Sequence, residues 1–173
     1  MSFATRVVFS FVMALMVAGV STARAQESAW GDLTLSAARI DYDLSGTGTA
    51  AGVAVRTTRD LTSTIRLELG GLFARPAQQF GPSTLFVPEA QLQYHWGGGR
   101  ISPYLGGGLG AALVKSDSHT NWDSTLSFAV GTGVRLSEHL GVNGEFRLRG
   151  HEWDFVGTTA EISAGLAWRI GGF

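Results

Sequence analysis

The chain has 173 residues, 24 of them Gly, no Cys, and a formal net charge of −1. That length is enough for one domain. The absence of Cys excludes disulfide stapling and thiol chemistry, and the slightly acidic balance argues against a nucleic-acid partner.

Residues Met1–Ala25 read as a secretory signal peptide. Arg6 supplies the positive start, Val7 to Val20 is an apolar run of fourteen, and Ala23-Arg24-Ala25 is a small-residue cleavage site. The run is short of the ~20 residues that a membrane-spanning helix needs. Cleavage after Ala25 would leave residues 26–173 as a single barrel domain, and the remainder holds no apolar run of 20.

Eight strand-like segments follow. The first runs from about Trp30 to Tyr42, with Leu33, Leu35 and Ala37 in one phase and Ile40 and Tyr42 in the other. A bulge near Ala37-Ala38 would reconcile them. The others are about Ala50–Thr58, Thr64–Ala74, Thr84–His95, Ile101–Val114, Ser124–Leu136, Leu140–Arg149 and Thr158–Ile170. Each has an apolar and a polar phase, and period two is the mark of a strand whose faces meet different surroundings. Ten charges fall in polar phases: Arg56, Arg66, Glu68, Glu89, Arg135, Glu145, Arg147, Arg149, Glu161 and Arg169. Leu67, Leu69, Leu126, Val130, Phe146 and Leu166 represent the apolar phase in mid-strand. The leader settles which face is outside. An exported chain with uncharged strand faces suits a membrane barrel, with lipid outside and a polar interior.

The connections after strands two, four and six are short: Asp60–Ser63, Gly97–Arg100 and Ser137–His139. Those after strands one, three, five and seven are longer: about Asp43–Thr49, Arg75–Ser83, Lys115–Asp123 and Gly150–Gly157. Short turns at one end and longer loops at the other are the pattern of outer-membrane barrels. Trp30, Trp96 and Trp168 fall at the turn end, while Phe73, Phe80, Phe86, Trp122, Trp153 and Phe155 fall at or beyond the loop end, as two aromatic girdles would. The expected fold is all-β: an eight-stranded antiparallel up-and-down transmembrane barrel.

Three stretches carry a family likeness. Pro103 to Gly110 (PYLGGGLG) resembles the fifth strand of the small OmpA/OmpX-like barrels. Leu136-Ser137-Glu138-His139-Leu140 followed by Gly144-Glu145-Phe146-Arg147 resembles their turn and seventh strand. Gly165, Trp168, Ile170 and the final Phe173 resemble the terminal strand that the barrel-assembly machinery reads, although Gly171-Gly172 set Phe173 out of phase with Ile170. The resemblance implies an outer-membrane location in a Gram-negative bacterium, contact with membrane lipid and lipopolysaccharide, a monomer, and no cofactor.

Eight strands leave a bore that side chains can fill. The inward set, with Gln91, Gln93, His95 and Tyr104, therefore reads as a salt-bridged plug. Strand seven should pair with Glu161 and Arg169 on strand eight and with Arg135 on strand six, with Gly106, Gly108, Gly131, Gly133 and Gly165 giving room. A conducting or gated pore is the alternative for the lumen. No catalytic residues and no metal site are assigned. A lipid-A deacylase, the enzymatic alternative, needs a Ser beside a His, and no such pair is visible on a late strand. Ser163 is inward while His151 lies beyond it, and Ser116, Ser118 and His119 lie around a loop. The clusters His151/Glu152/Asp154 and Asp117/His119/Asp123 read as solvated loop polarity, since hard cations want several converging oxygens. The function expected is a structural or surface-interaction barrel.

Overall fold

A computed structural model of the chain describes residues 30–41, 49–76, 83–96, 99–116, 120–151 and 158–170. The leader, Phe80, Asp117–His119, Glu152–Gly157 and Phe173 lie outside these, so the expectations placed on them have no structural counterpart here. Eight strands are present: β1 (Trp30–Asp41), β2 (Thr49–Asp60), β3 (Ile65–Pro76), β4 (Ser83–His95), β5 (Ile101–Ser116), β6 (Thr120–Arg135), β7 (Leu140–His151) and β8 (Thr159–Arg169). Each pairs with its chain neighbours, and β8 pairs with β1 to close the barrel. Closure removes the unpaired edges that an open sheet would present.

Two turns end in the same way. Leu61 N donates to Ile65 O at 2.9 Å and Leu136 N to Leu140 O at 2.9 Å. The Thr62 hydroxyl accepts from Ile65 N at 2.9 Å, and the Ser137 hydroxyl accepts from Leu140 N at 3.1 Å. A hydroxyl that takes a backbone N–H competes with ladder pairing and reverses the chain.

The stagger follows from the register. From Arg39, partners run through Ala51 and Arg75, then one step beyond the Ala74–Leu85 pair to Thr84 and Lys115 on β5. The other way round, Arg39 leads through Ile162, Phe146 and Val130 to Leu105 on the same strand, ten residues earlier (115 − 105). Ten residues at ~3.3 Å against eight strand spacings at ~4.8 Å give a tilt of about 40°.

Two local expectations need correction. β1 alternates buried and exposed without a break from Leu33 to Ile40, and its register shift lies between Trp30 and Leu33 rather than at Ala37-Ala38. Ile40 is inward and 1% exposed, so the apparent phase change came from an apolar residue facing the lumen. The segment Lys115–Asp123 is not a long loop. β5 and β6 each run 16 residues and pair out to Lys115–Thr120. That is longer than the ~9–11 needed to cross hydrocarbon, so these strands run beyond such a span and need no apolar phase at their loop ends.

Candidate functional site: the sealed lumen

The lumen has three levels. In the middle, Arg56, Arg147 and Arg149 meet Glu68, Glu89, Glu145 and Glu161, all buried. Arg147, 1% exposed, sits at the centre. It donates from Nη2 to Glu68 Oε1 at 2.7 Å and to Glu145 Oε2 at 2.9 Å, from Nε to Glu145 Oε1 at 2.9 Å, and from Nη1 to Glu89 Oε1. Arg149 donates from Nε to Glu89 Oε2 at 2.8 Å, and its Nη1 lies 2.6 Å from Glu161 Oε2 as an ion pair. Arg56 completes the circuit, donating from Nη2 to Glu161 Oε1 at 2.6 Å and lying 3.7 Å from Glu68 and 3.6 Å from Glu145.

Four carboxylates face three guanidiniums, and neutral donors serve the excess oxygens. Tyr104 donates to Glu145 Oε2 at 2.6 Å, Ser127 to Glu89 Oε1 at 2.7 Å, and Gln93 Nε2 to Glu68 Oε2 at 2.9 Å. A buried charge left unpaired costs several kcal/mol, and good geometry with extra hydrogen bonds offsets that cost. The belt leaves a void of only about 10 Å³ beside Arg56, Glu68, Glu89 and Arg147. That is at the lower limit for a single water.

Glycines let these side chains cross strands. Tyr104, Gly131 and Glu145 are partners in one row, and a Cβ on Gly131 would lie 2.4 Å from the Tyr104 ring. Gly108 faces Ser127 Oγ and Glu89 Oε1 at similarly short range, and Gly106 faces Gln91. Gly133 has nothing near it, and Gly165 serves a different purpose from the one expected. Its missing Cβ would lie 2.1 Å from the Leu35 carbonyl oxygen, at the β8–β1 closure.

Toward the loop end, the lumen wall from β1 to β5 is apolar: Ala38, Ile40, Ala50, Ala54, Leu72, Ala74, Leu85, Val87 and Ala112 form one buried cluster. A uniformly polar interior did not anticipate this layer. The available sign was that both phases of β3 and β4 turn apolar there, as at Leu72-Phe73 and Leu85-Phe86-Val87.

At the turn end the lumen opens into a polar cup of about 270 Å³. Here lie the three expected network members that do not join the belt. Arg66 pairs with Asp60 at 2.6 Å and lies 3.7 Å from Asp32; Arg169 is 3.7 Å from Asp32; Arg135 is exposed on the rim. Among the described residues, neither the Arg135 nor the Arg169 side chain forms an ion pair with β7. They share the belt's phase but sit too near the strand ends to reach it. Asp32 and Asp60 were missed as partners.

The cup also holds a Ser–His contact, between β4 and β5 rather than on a late strand. Gln93 Nε2 donates to Glu68 Oε2 and to Gln91 Oε1, which fixes the amide. Gln93 Oε1 therefore accepts from His95 Nε2 at 3.0 Å, and His95 Nδ1 accepts from the Ser102 hydroxyl at 3.1 Å. The third member is an amide rather than a carboxylate, so nothing in this triad would stabilise an imidazolium as a catalytic Asp does. The pair also lies at the end opposite the loops. Among the described residues, no group of three His, Asp or Glu side chains could hold a metal ion.

On the outer face, Val130, Phe146 and Leu166 are exposed, and Leu67 and Leu126 are partly so. Leu69 shares this phase but is only 6% exposed, so it does not present an open outer surface. Phe73 and Phe86 stack with centroids 4.4 Å apart toward the loop end. At the turn end Trp30 opens β1, Tyr94 and Trp96 stack at 6.3 Å, and Trp168 and Ile170 are exposed.

Comparisons agree with this architecture. Among curated proteins, none matches the chain. Neisserial surface protein A superposes with a TM-score of 0.61 at 16% identity, covering 84% of this chain and 99% of that one. The outer membrane protein OprG of Pseudomonas aeruginosa gives 0.59 at 16% identity, covering 82% and 97%. The N-terminal β-barrel domain of OprF from the same organism gives 0.58 at 16% identity, covering 84% and 100%. The family model of the outer membrane protein beta-barrel domain matches residues 10–169, and the chain belongs to that family.

Proposed function

We propose that the protein is a closed structural barrel of a Gram-negative outer membrane. In this reading it adds to membrane integrity and carries its loops to the cell surface for adhesion, without conducting solutes or altering lipid A. The observation that carries this reading is the use of the mid-lumen for a continuous Arg/Glu belt. A pore at this width would need a continuous wet path, and an enzyme would need its polar groups free to meet a substrate. Planar-bilayer recording of the purified protein should show no steady conductance. A large, persistent open level would replace this reading with a pore. Lipid A from cells with and without the protein should have the same mass, including when Ser102→Ala is compared with wild type. An acyl chain lost in a Ser102-dependent way would install a deacylase instead.

Several finer points belong to the same reading. The leader directs the chain to the periplasm and is cleaved after Ala25, and the barrel-assembly machinery inserts the barrel as a monomer with its apolar phase in lipid. Gly165, Trp168 and Ile170, with Phe173, serve as the recognition strand. N-terminal sequencing of protein from the outer-membrane fraction should begin at Gln26; recovery as a soluble periplasmic protein would overturn the membrane assignment.

A further inference from the structure

The outer face bears charge in an uneven way. Arg39, Arg75 and Lys115 are exposed and share the outward phase near the loop ends of β1, β3 and β5. They lie on one partner row, separated by Ala51 and Thr84, so a cation stands on every second strand. Two strand spacings set neighbours roughly 10 Å apart along the row. Because the row climbs with the barrel's stagger, Arg75 stands about 6 Å and Lys115 about 12 Å above Arg39 along the barrel axis. Arg39 is level with the outward aromatic and aliphatic residues that end the apolar band, among them Phe73. The arc thus begins at the edge of that band and rises into the region beyond it.

The other half of the same rim is different. Among the described residues, outward positions near the loop ends of β6 to β8 are Thr120, Trp122, Ser124, Gly150, Thr158 and Ala160, none of them charged. Among the described residues, no ion pair engages Arg39, Arg75 or Lys115. One acid shares their face, Asp41, which is partly buried and already has a partner. Long cationic side chains at a hydrocarbon boundary reach into the headgroup layer, where guanidinium forks match phosphate oxygens.

We propose that Arg39, Arg75 and Lys115 form a binding arc for the phosphates of a lipid-A-type glycolipid in the outer leaflet. The proposal rests on the outer-membrane reading, which places the loop end on the outer side. Arg39 and Arg75 take phosphate at the headgroup level. Lys115, on the projecting β5–β6 hairpin, meets anionic groups farther from the hydrocarbon. Acyl chains then lie along the adjacent outward face of β1 to β5.

Native mass spectrometry of the purified, folded protein with added bisphosphorylated lipid A tests this. Wild type should retain the lipid, and Arg39→Gln/Arg75→Gln/Lys115→Gln should lose affinity by roughly tenfold or more, three exposed charge contacts being removed. Monophosphoryl lipid A should bind wild type more weakly than the bisphosphorylated form. Arg59→Gln/Arg100→Gln, at the turn end, should bind as wild type does. Retention by the triple variant would overturn the proposal. So would equal loss with the turn-end variant, or displacement of lipid A by phosphatidylglycerol or inorganic phosphate at the same concentration, each of which marks general anion attraction. Circular dichroism and outer-membrane fractionation of every variant separate the two readings. A folded triple variant in the outer membrane that still binds lipid A defeats only the arc, whereas wild type absent from the outer membrane defeats the barrel assignment.

Discussion

The middle and the turn end of the lumen are lined by the same residue types in the same strand phase, yet they behave differently. In the belt, every Arg meets at least two carboxylates and nothing is exposed. In the cup, Arg66 pairs with a half-exposed Asp60 at 2.6 Å, Arg66 and Arg169 lie 3.7 Å from Asp32, and Arg135 stands in the open, so each of these groups keeps contact with solvent. Depth along the strand makes the difference. At the centre the charges are buried and must be matched atom by atom, whereas at the mouth solvent replaces a missing partner at little cost. Phase tells which residues face inward, and depth tells which of them are under obligation.

Breaking the belt should therefore cost most. Arg147→Met strands Glu68, Glu89 and Glu145 together, and should destabilise by about 3–5 kcal/mol or force proton uptake, measured by urea unfolding from lipid bilayers. On the opposite face, Val130 is 47% exposed near mid-strand, and Val130→Arg should cost about 2–4 kcal/mol if that face meets lipid. A tolerated Arg there would reverse the assignment of the faces. Gly131→Ala should cost about 1–3 kcal/mol through overpacking against Tyr104, and most of that loss should vanish in a Tyr104→Ala background, which removes the ring it strikes. At the mouth, Arg135→Gln should change stability by less than about 0.5 kcal/mol. A loss comparable to that of Arg147→Met would erase the contrast between the two regions.

Much of this was legible in residue order. Period two separated Glu68 from Leu67 and Glu161 from Ile162, and the short turns around Thr62 and Ser137 sat where hydroxyls could cap them. Three things were not legible, for distinct reasons. The depth of Arg135 and Arg169 depends on tilt and stagger, which are properties of the closed barrel. The apolar cluster around Ile40, Leu72 and Val87 is masked in the sequence because an apolar residue that faces the lumen has the same signature as one that faces outward, which is why β1 mimics a change of phase at Ile40. The early start of β6 at Thr120 was obscured because a strand beyond the membrane edge has no apolar side to display. The Ser102–His95–Gln93 chain is not visible in residue order because it joins two strands across a short turn, with His95 and Ser102 seven positions apart and no motif to mark the pair.

The absence of Cys allows the central claim to be tested one residue at a time. Single-Cys variants Ser102→Cys, in the cup, and Ala54→Cys, in the buried layer beyond the belt, can be reconstituted in vesicles of defined orientation and treated with a membrane-impermeant maleimide from either side. The sealed-lumen account predicts rapid labelling of Ser102→Cys from the turn side only, and none of Ala54→Cys from either side. Labelling of Ser102→Cys from the loop side, or of Ala54→Cys from the turn side, would show that the belt lets solutes through and would contradict it.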